Sequence, residues 1–479
     1  MSPQRRVNYV YFAFFAGLLA ILHVFHVWLV EPVASRDRTL YIVQAVGQAL
    51  LEGGILLVLS QILIERAPRL VHAAFLAATF LLLMIHFLDF PFVRVMDMSI
   101  WFMLDMISAE SFDNFFELLR ASHVAMSSWL IGGVALLLVP FAGIFLFRFA
   151  RRLSARKPFR FSYPIVGLAL FFGAFLLALI DFAGHQIGTP VSESRYLRAL
   201  PWKTTVFASR TPYVQLNGVL GAPLNEKEVR QRVSDRSCAL EKRPNIYLFV
   251  IESLRADYIT SETAPHLAAF RDHHMTTEKS LAAANATAPS WFSIFHSIYP
   301  FYLQTRHAEA WSMGSAPLHI LKEAGYQIHL YASTTFEYYK MEEMLFGKGR
   351  SLMTTFEVFP QGPETPAHSS DAQVLAHLRA DQQRWEGEGG HLFLIFLEST
   401  HFDYSWPQLK PLRFVPVTES IDYVKIVCAQ EDIEGIKNRY RNALFYLDEA
   451  LGSVLSAIEP EALIAITGDH GEEFFEEGA

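Results

Sequence analysis

The feature that most restricts this chain is where its apolar residues lie. Mean hydropathy is positive over 479 residues, but the excess is concentrated before about residue 185. A membrane helix needs roughly 20 mostly apolar residues, and five stretches meet that requirement: 9–30, 42–64, 70–90, 128–147 and 163–182. The first is too long for a signal-peptide core, and no small-residue cleavage site follows it. Residues 1–185 are therefore expected to form five transmembrane helices. The short loops orient them. Arg5 and Arg6 precede the first span, Arg66 and Arg69 join the second to the third, and Arg148, Arg151, Arg152, Arg156, Lys157 and Arg160 join the fourth to the fifth. Basic loops mark the cytoplasmic side, so everything after the fifth span is expected outside the cytoplasm.

Within the outer loop, 99–107 and 111–119 are aromatic and amphipathic, fitting helices that lie in the membrane interface or cap the bundle. Residues 186–243 are polar and turn-rich and read as a connector along the membrane surface. From 244 to 479 the pattern changes. Apolar runs at 246–251, 327–332, 392–397 and 463–467 alternate with helical segments at 265–273, 318–324, 372–385 and 433–458. That alternation predicts an α/β domain with a mostly parallel sheet covered by helices. Net charge is −8, and no basic stripe in this part suggests nucleic acid. Cys238 and Cys428 either pair in an oxidising compartment or stay separate thiols.

Two of the strand runs end in chemistry. The first leads into Glu252-Ser253-Leu254-Arg255, the last into Gly468-Asp469-His470-Gly471-Glu472. Open α/β sheets carry their sites beyond the strands' carboxyl ends. Two carboxylates and an imidazole are therefore expected at one sheet edge, a set suited to a hard or borderline divalent cation. Thr287-Ala288-Pro289-Ser290 reads as the first turn of a helix, where free N–H groups favour an anion. Thr287 is there either as a cap or as a nucleophile activated by a bound cation. Glu52, inside the second span, is a functional acid or a helix–helix hydrogen bond. His23 and His26 are expected to snorkel to the interface, His273 and His274 to lie on the surface, and His296 to pack in the core. Asp257 is expected to pair with Arg255, while Ser333 and Lys348 are candidates to meet the substrate.

Six fragments in order carry a resemblance: Glu252-Ser-Leu-Arg-Ala-Asp-Tyr, Thr-Ala-Pro-His266-Leu, Thr287-Ala-Pro-Ser-Trp, Lys-Glu-Ala-Gly325-Tyr, Ser399-Thr-His401-Phe-Asp-Tyr404 and Gly-Asp469-His470-Gly-Glu. From about residue 245 onward the chain resembles the sulfatase branch of the alkaline phosphatase superfamily. Sulfatases proper carry a Cys or Ser at the place of Thr287, oxidised to formylglycine, and an Arg at the place of Trp291. Threonine with a multi-pass anchor is instead similar to lipoteichoic acid synthases and lipid A phosphoethanolamine transferases, and the membrane half resembles sulfatase-like inner-membrane proteins of the PbgA type. The resemblance implies one Mn, Zn or Mg ion held by Glu252, Thr287, Asp469 and His470. It also implies Thr287 as nucleophile and His401 as the histidine that contacts the substrate phosphate. It points to hydrolysis or transfer of a phosphate-linked or sulfate ester group on a phospholipid, envelope lipid or glycan, at the outer face of a bacterial inner membrane. The alternative it allows is a non-catalytic regulator that binds lipid or lipopolysaccharide. Family members continue past the Asp469–His470 motif, so the chain is expected to be C-terminally incomplete.

Overall fold

A computed structural model describes residues 7–30, 35–96, 99–101, 103–104, 126–156, 162–187, 196–205, 231, 240–277, 279–300, 302–303, 312–337, 340–361, 365–385, 387–419, 433–474 and 476. The chain divides into two compact units, Met1–Val214 and Gln215–Ala479. Cys238, Cys428, Met98 and most of the outer loop lie outside the described residues.

The first unit is helical: α1 (Tyr9–Leu29), α2 (Ser35–Arg66), α3 (Arg69–Met96), α4 (Met126–Arg156), α5 (Tyr163–Ile187) and the short α6 (Pro201–Thr205). Among the described residues three helices are long and apolar enough to cross a membrane, within Tyr9–Leu29, Arg38–Arg66 and Arg69–Arg94. The fourth and fifth apolar stretches are each one continuous helix, α4 and α5, with a described apolar stretch at Ile165–Ile180 in the latter. Close approach of α1 and α2 depends on Gly53, where an added Cβ would lie 2.7 Å from the Ala16 Cβ. Small residues let helices meet where lipid gives no hydrophobic drive to associate.

The ionisable side chains of His23, His26, Glu52, His86 and Asp89 are buried in this unit. His23 and His26 are 3% and 5% exposed, so they do not snorkel to the interface. Instead His23 bonds the Ala199 carbonyl (2.7 Å) and His86 (3.0 Å), because a buried polar group needs a partner. Glu52 lies 3.6 Å from His86 and accepts from Thr205 Oγ1 at 3.3 Å. Asp89 accepts from Thr204 Oγ1 (2.8 Å) and from the Ile100 N–H (2.7 Å). Gln48 accepts from the Trp202 N–H, and Trp101 donates to the Thr204 carbonyl. The described part of the connector, 196–205, is thus hydrogen-bonded to polar side chains of the spans.

The second unit holds a five-stranded, wholly parallel sheet: β1 (Ile246–Ile251), β2 (Gln327–Ala332), β3 (Thr355–Val358), β4 (His391–Leu397) and β5 (Leu463–Gly468), in the order β3-β2-β4-β1-β5. Helices α7 (Pro265–His273), α8 (Thr287–His296), α9 (Ala316–Glu323), α10 (Met341–Phe346), α11 (Ala367–Arg384) and α12 (Ile433–Leu455) accompany it. Strands β1 and β4 read as nearly unbroken apolar runs because both faces are covered. Tyr247, Phe249, Ile251, Phe393, Ile395 and Leu397 pack with α11 and α12, while Val250, Leu392, Leu394 and Phe396 pack with α8 and α10. Local signals set the helix ends. Ser315 caps α9 by accepting from the Leu318 N–H (3.2 Å), and Gly325 closes it at φ +89°.

Candidate metal centre

Strand register brings the acids together. β1 pairs with β5 so that Ile251 faces Gly468, which sets Glu252 and Asp469 side by side just beyond the strands. On the other flank Ile251 faces Leu397 of β4, so Glu398 follows there. Ser253 turns the chain at once, at φ +54°. The hydroxyl of Tyr440, sealed inside α12, secures that turn by donating to the Ser253 carbonyl and accepting from the Arg255 N–H, both at 2.9 Å. Thr400 Oγ1 donates to the Glu252 carbonyl at 2.6 Å.

The side chains converge as the spacing predicts. Ligand atoms of Glu252, Asp469 and His470 lie within 4.8 Å of one another. His470 Nε2 is 3.2 Å from Glu252 Oε1 and 3.7 Å from Asp469 Oδ2. Asp469 Oδ1 accepts from the N–H groups of Ser253 (3.1 Å) and His470 (2.8 Å). Thr287 opens α8, but Ala286 is the capping residue and α8 has no side-chain cap. The Thr287 hydroxyl instead lies 3.3 and 3.4 Å from the two oxygens of Glu252. One turn further along, Trp291 is core, stacked on Phe295 and set edge-on to Phe336 and Phe396. His401 is exposed, with Nδ1 3.2 Å from the Phe402 carbonyl, and is close enough for its charge to act on Glu252.

Burial and close charge set the electrostatics of this cluster. Burial and the charge of Glu252 push the Asp469 carboxyl up to about 8. Burial would lower His470, but its hydrogen bond to Glu252 and the charge of Asp469 raise it to about 9. Burial would raise Glu252, yet the His470 hydrogen bond and the His401 charge bring it down to about 2. Two buried carboxylates this close ionise together only beside positive charge. Asp469 Oδ2 is also buried with no hydrogen-bond partner. An orphaned carboxylate oxygen, a second carboxylate, an imidazole and a hydroxyl together fit one divalent cation. They favour oxygen-loving metals or zinc and do not choose among Mn, Zn and Mg.

Residues around the cluster hold it in place. Arg255 reaches Asp257 with two bonds (3.0 and 2.7 Å), the Glu472 carbonyl (2.9 Å) and Glu476 (2.5 Å). Its guanidinium also sits over the rings of Tyr258 and Phe474. The Arg255–Asp257 pair expected from sequence therefore extends into a tie between the Glu252 loop and the Asp469–His470 loop. Other expectations land elsewhere. Ser333 is fully buried and its hydroxyl donates to Asp371, so it faces no substrate. Lys348 is exposed on a one-turn 3-10 helix, His296 is core and bonds the Met344 carbonyl, and His273 and His274 are exposed. Asp371 and Glu398, both buried at this sheet edge, escaped the sequence reading. Burial and the neighbouring Glu252 charge hold the Glu398 carboxyl well above the usual carboxylate range. A signal for Asp371 existed: it shares the buried face of α11 with Val374, Leu375 and Leu378, at helical spacing.

The sulfatase family model matches residues 244–479. Among solved structures the chain is similar to a protein in the alkaline phosphatase superfamily from Vibrio parahaemolyticus, at 14% identity over 53% of this chain and 65% of that one, with a TM-score of 0.38. It is similar to the C-terminal periplasmic domain of EcEptC from Escherichia coli, at 17% identity over 50% and 66%, TM-score 0.35. It is also similar to the lipoteichoic acid synthase LtaP from Listeria monocytogenes, at 16% identity over 51% and 62%, TM-score 0.38. The chain spans less than two thirds of each of those proteins. No curated protein sequence matches it significantly.

Proposed function

Since residues 244–479 belong to the sulfatase family, we propose that this protein is a membrane-anchored, metal-dependent hydrolase or phosphotransferase with Thr287 as its nucleophile. Its substrate is a phosphate ester (or sulfate ester) of a membrane lipid or envelope glycan, and its domain faces the outer side of a bacterial inner membrane. The observation that carries this reading is the Thr287 hydroxyl, which leaves its helix uncapped and points at Glu252, beside Asp469 and His470. Fold alone does not establish an activity, so the site must.

Glu252, Thr287, Asp469 and His470 would hold a divalent cation, which would supply positive charge to acidify the threonine hydroxyl and to draw electron density from a phosphoryl oxygen. Thr287 Oγ1, held beside Glu252, attacks phosphorus, and the proton of its acidified hydroxyl is released to solvent water. The bond from phosphorus to the departing alcohol oxygen breaks, and His401 delivers a proton to that oxygen through Nε2. The phosphothreonine is then resolved by water in a hydrolase, or by a second alcohol in a transferase. The free N–H groups at the start of α8 face the phosphoryl oxygens and steady their charge.

Mass spectrometry of the full chain after incubation with phospholipid tests this reading. The expected result is a phospho-adduct confined to Thr287, absent from Thr287→Ala. Protein that retains Mn²⁺ but never carries an adduct under turnover conditions points to the non-catalytic lipid-binding alternative.

A further inference from the structure

Asp371 is 2% exposed, sealed in beneath the C-terminal ends of β2 and β4. Four donors from two other elements converge on its carboxylate. They are the Ser333 and Ser399 hydroxyls and the N–H groups of Glu398 (2.9 Å) and Ser399 (2.7 Å). The residue is the fifth of α11, past the free N–H groups at the helix start, and its carboxylate bonds groups outside the helix. What it grips is the turn that follows β4. In that turn Thr400 pins the Glu252 carbonyl, and the His401 N–H closes onto the Glu398 carbonyl at 3.0 Å. A single buried carboxylate therefore stands two bonds away from the backbone of a metal-site residue, and one turn away from the histidine beside it.

We propose that Asp371 is a positioning residue for the reaction, setting the Glu398–His401 turn so that His401 meets the group departing from phosphorus. This rests on the metalloenzyme reading above. The chemistry of the pocket explains why an acid stands there. The Glu398 and Ser399 N–H groups can only donate, and the Ser399 hydroxyl donates beside them, whereas an ionised carboxylate is the side chain that only accepts. An asparagine of the same shape would turn an NH2 group onto one of those donors, leaving a bond unmade in a sealed site.

The test uses the full detergent-solubilised chain, a chromogenic phosphodiester, and Mn²⁺ titration. Asp371→Asn is expected to lower kcat about a hundredfold, the effect of misplacing a catalytic group by an ångström. Ser399→Ala, which removes one donor, is expected to lower it about tenfold. Mn²⁺ affinity stays within about threefold for both, below the tenfold or more usual when a group bonded directly to a metal ligand is altered. The deciding measurement is a double-mutant cycle with His401→Ala. If Asp371 acts through His401, Asp371→Asn adds almost nothing to the loss already caused by His401→Ala. Should Asp371→Asn fail to fold, Ser399→Ala enters the same cycle. Losses that multiply, in a wild type that binds Mn²⁺ and turns over, overturn the role of Asp371 alone. A wild type that neither binds Mn²⁺ nor turns over overturns the functional reading, and the role assigned here falls with it.

Discussion

His391, at the start of β4, and His470, just past the end of β5, occupy opposite edges of one sheet and titrate in opposite directions. His391 stacks on Trp385, and its Nδ1 meets His329 Nε2 at 3.0 Å. His329 in turn reaches Thr355 Oγ1 at 3.0 Å. Burial, helped by the charge of His391, drops His329 to about 4, and burial lowers His391 too. At the other edge burial pulls the same way on His470, but Glu252 and Asp469 overcome it. The difference teaches which buried polar clusters await a ligand. The aromatic edge keeps its histidines neutral and bonded to each other and to a hydroxyl. The acidic edge leaves Asp469 Oδ2 without a partner and holds protons at neutral pH that a cation would replace.

Removing the proposed nucleophile should separate the edges most sharply. Thr287→Ala is expected to reduce turnover about 10⁴-fold or more, as loss of a nucleophile does, while the full chain still binds Mn²⁺. Thr287→Ala protein that keeps a tenth of wild-type turnover would remove threonine from the chemistry. Next in size, Asp469→Ala is expected to weaken Mn²⁺ binding more than about a hundredfold, since it deletes a proposed ligand rather than a neighbour of one. His391→Phe, at the other edge, should leave Mn²⁺ binding unchanged in the same titration. It should cost about 1–3 kcal/mol of stability, because His329 Nε2 loses its partner in a sealed site. Equal effects of the two substitutions on metal affinity would erase the contrast.

The edges also predict a pH profile for stability. Asp469, raised from 3.8 to about 8, and His470, raised from 6.5 to about 9, keep protons in the folded domain that the unfolded chain has released. Such groups stabilise the fold at low pH and lose that contribution as pH climbs to the folded value. His329, lowered from 6.5 to about 4, does the reverse: its contribution is present above 6.5 and lost as pH falls towards 4. The two edges therefore oppose each other below pH 6.5, and above it the acidic edge acts alone. Metal-free protein should lose stability from there towards pH 9, each proton counting for about 1.4 kcal/mol per pH unit at most. Saturating Mn²⁺ displaces both protons and should abolish the decline. A metal-free thermal transition that stays level across this range contradicts the assignment.

Much of the acidic edge was legible in the sequence because it follows strand ends. Apolar runs of strand length stopping at Glu252 and at Asp469–His470 needed only a parallel register to meet, and Ile251 facing Gly468 supplies it. The edge strand β3 was not foreseen. Its four residues, Thr355–Val358, are all half-buried and carry no long apolar run. Thr287 was undecided between cap and nucleophile, since both roles use the same hydroxyl at the same helix start. Its direction emerges only once β1 and α8 are placed. Inside the helical unit, His23 reads as an interfacial residue because its partners, His86 and Ala199, are 63 and 176 residues away. Long-range pairing of polar groups leaves no periodic trace. Asp371 shows the same limit, visible as an acid on an apolar helix face but silent about what it binds.

The smallest expected contrast is between two tyrosines, one at each edge, changed to phenylalanine. Tyr440 is fully buried, and its hydroxyl satisfies two backbone groups at once, the Ser253 carbonyl and the Arg255 N–H. Phenylalanine strands both, so Tyr440→Phe is expected to cost about 1–3 kcal/mol, the penalty for unpaired buried polar groups. It also frees the turn at Ser253, whose positive φ relies on that support, and Mn²⁺ affinity should fall by about tenfold as Glu252 loosens. Tyr247 donates to Glu459 Oε2 at 3.2 Å, and that glutamate also accepts from Asn245 at 2.7 Å. Tyr247→Phe therefore leaves Glu459 with a partner, so stability should drop by about 1 kcal/mol or less, with Mn²⁺ affinity unmoved. Thermal unfolding and metal titration of the two variants side by side decide the matter. If Tyr247→Phe weakens Mn²⁺ binding as much as Tyr440→Phe, the two edges communicate through the sheet and are not the independent sites their titration implies.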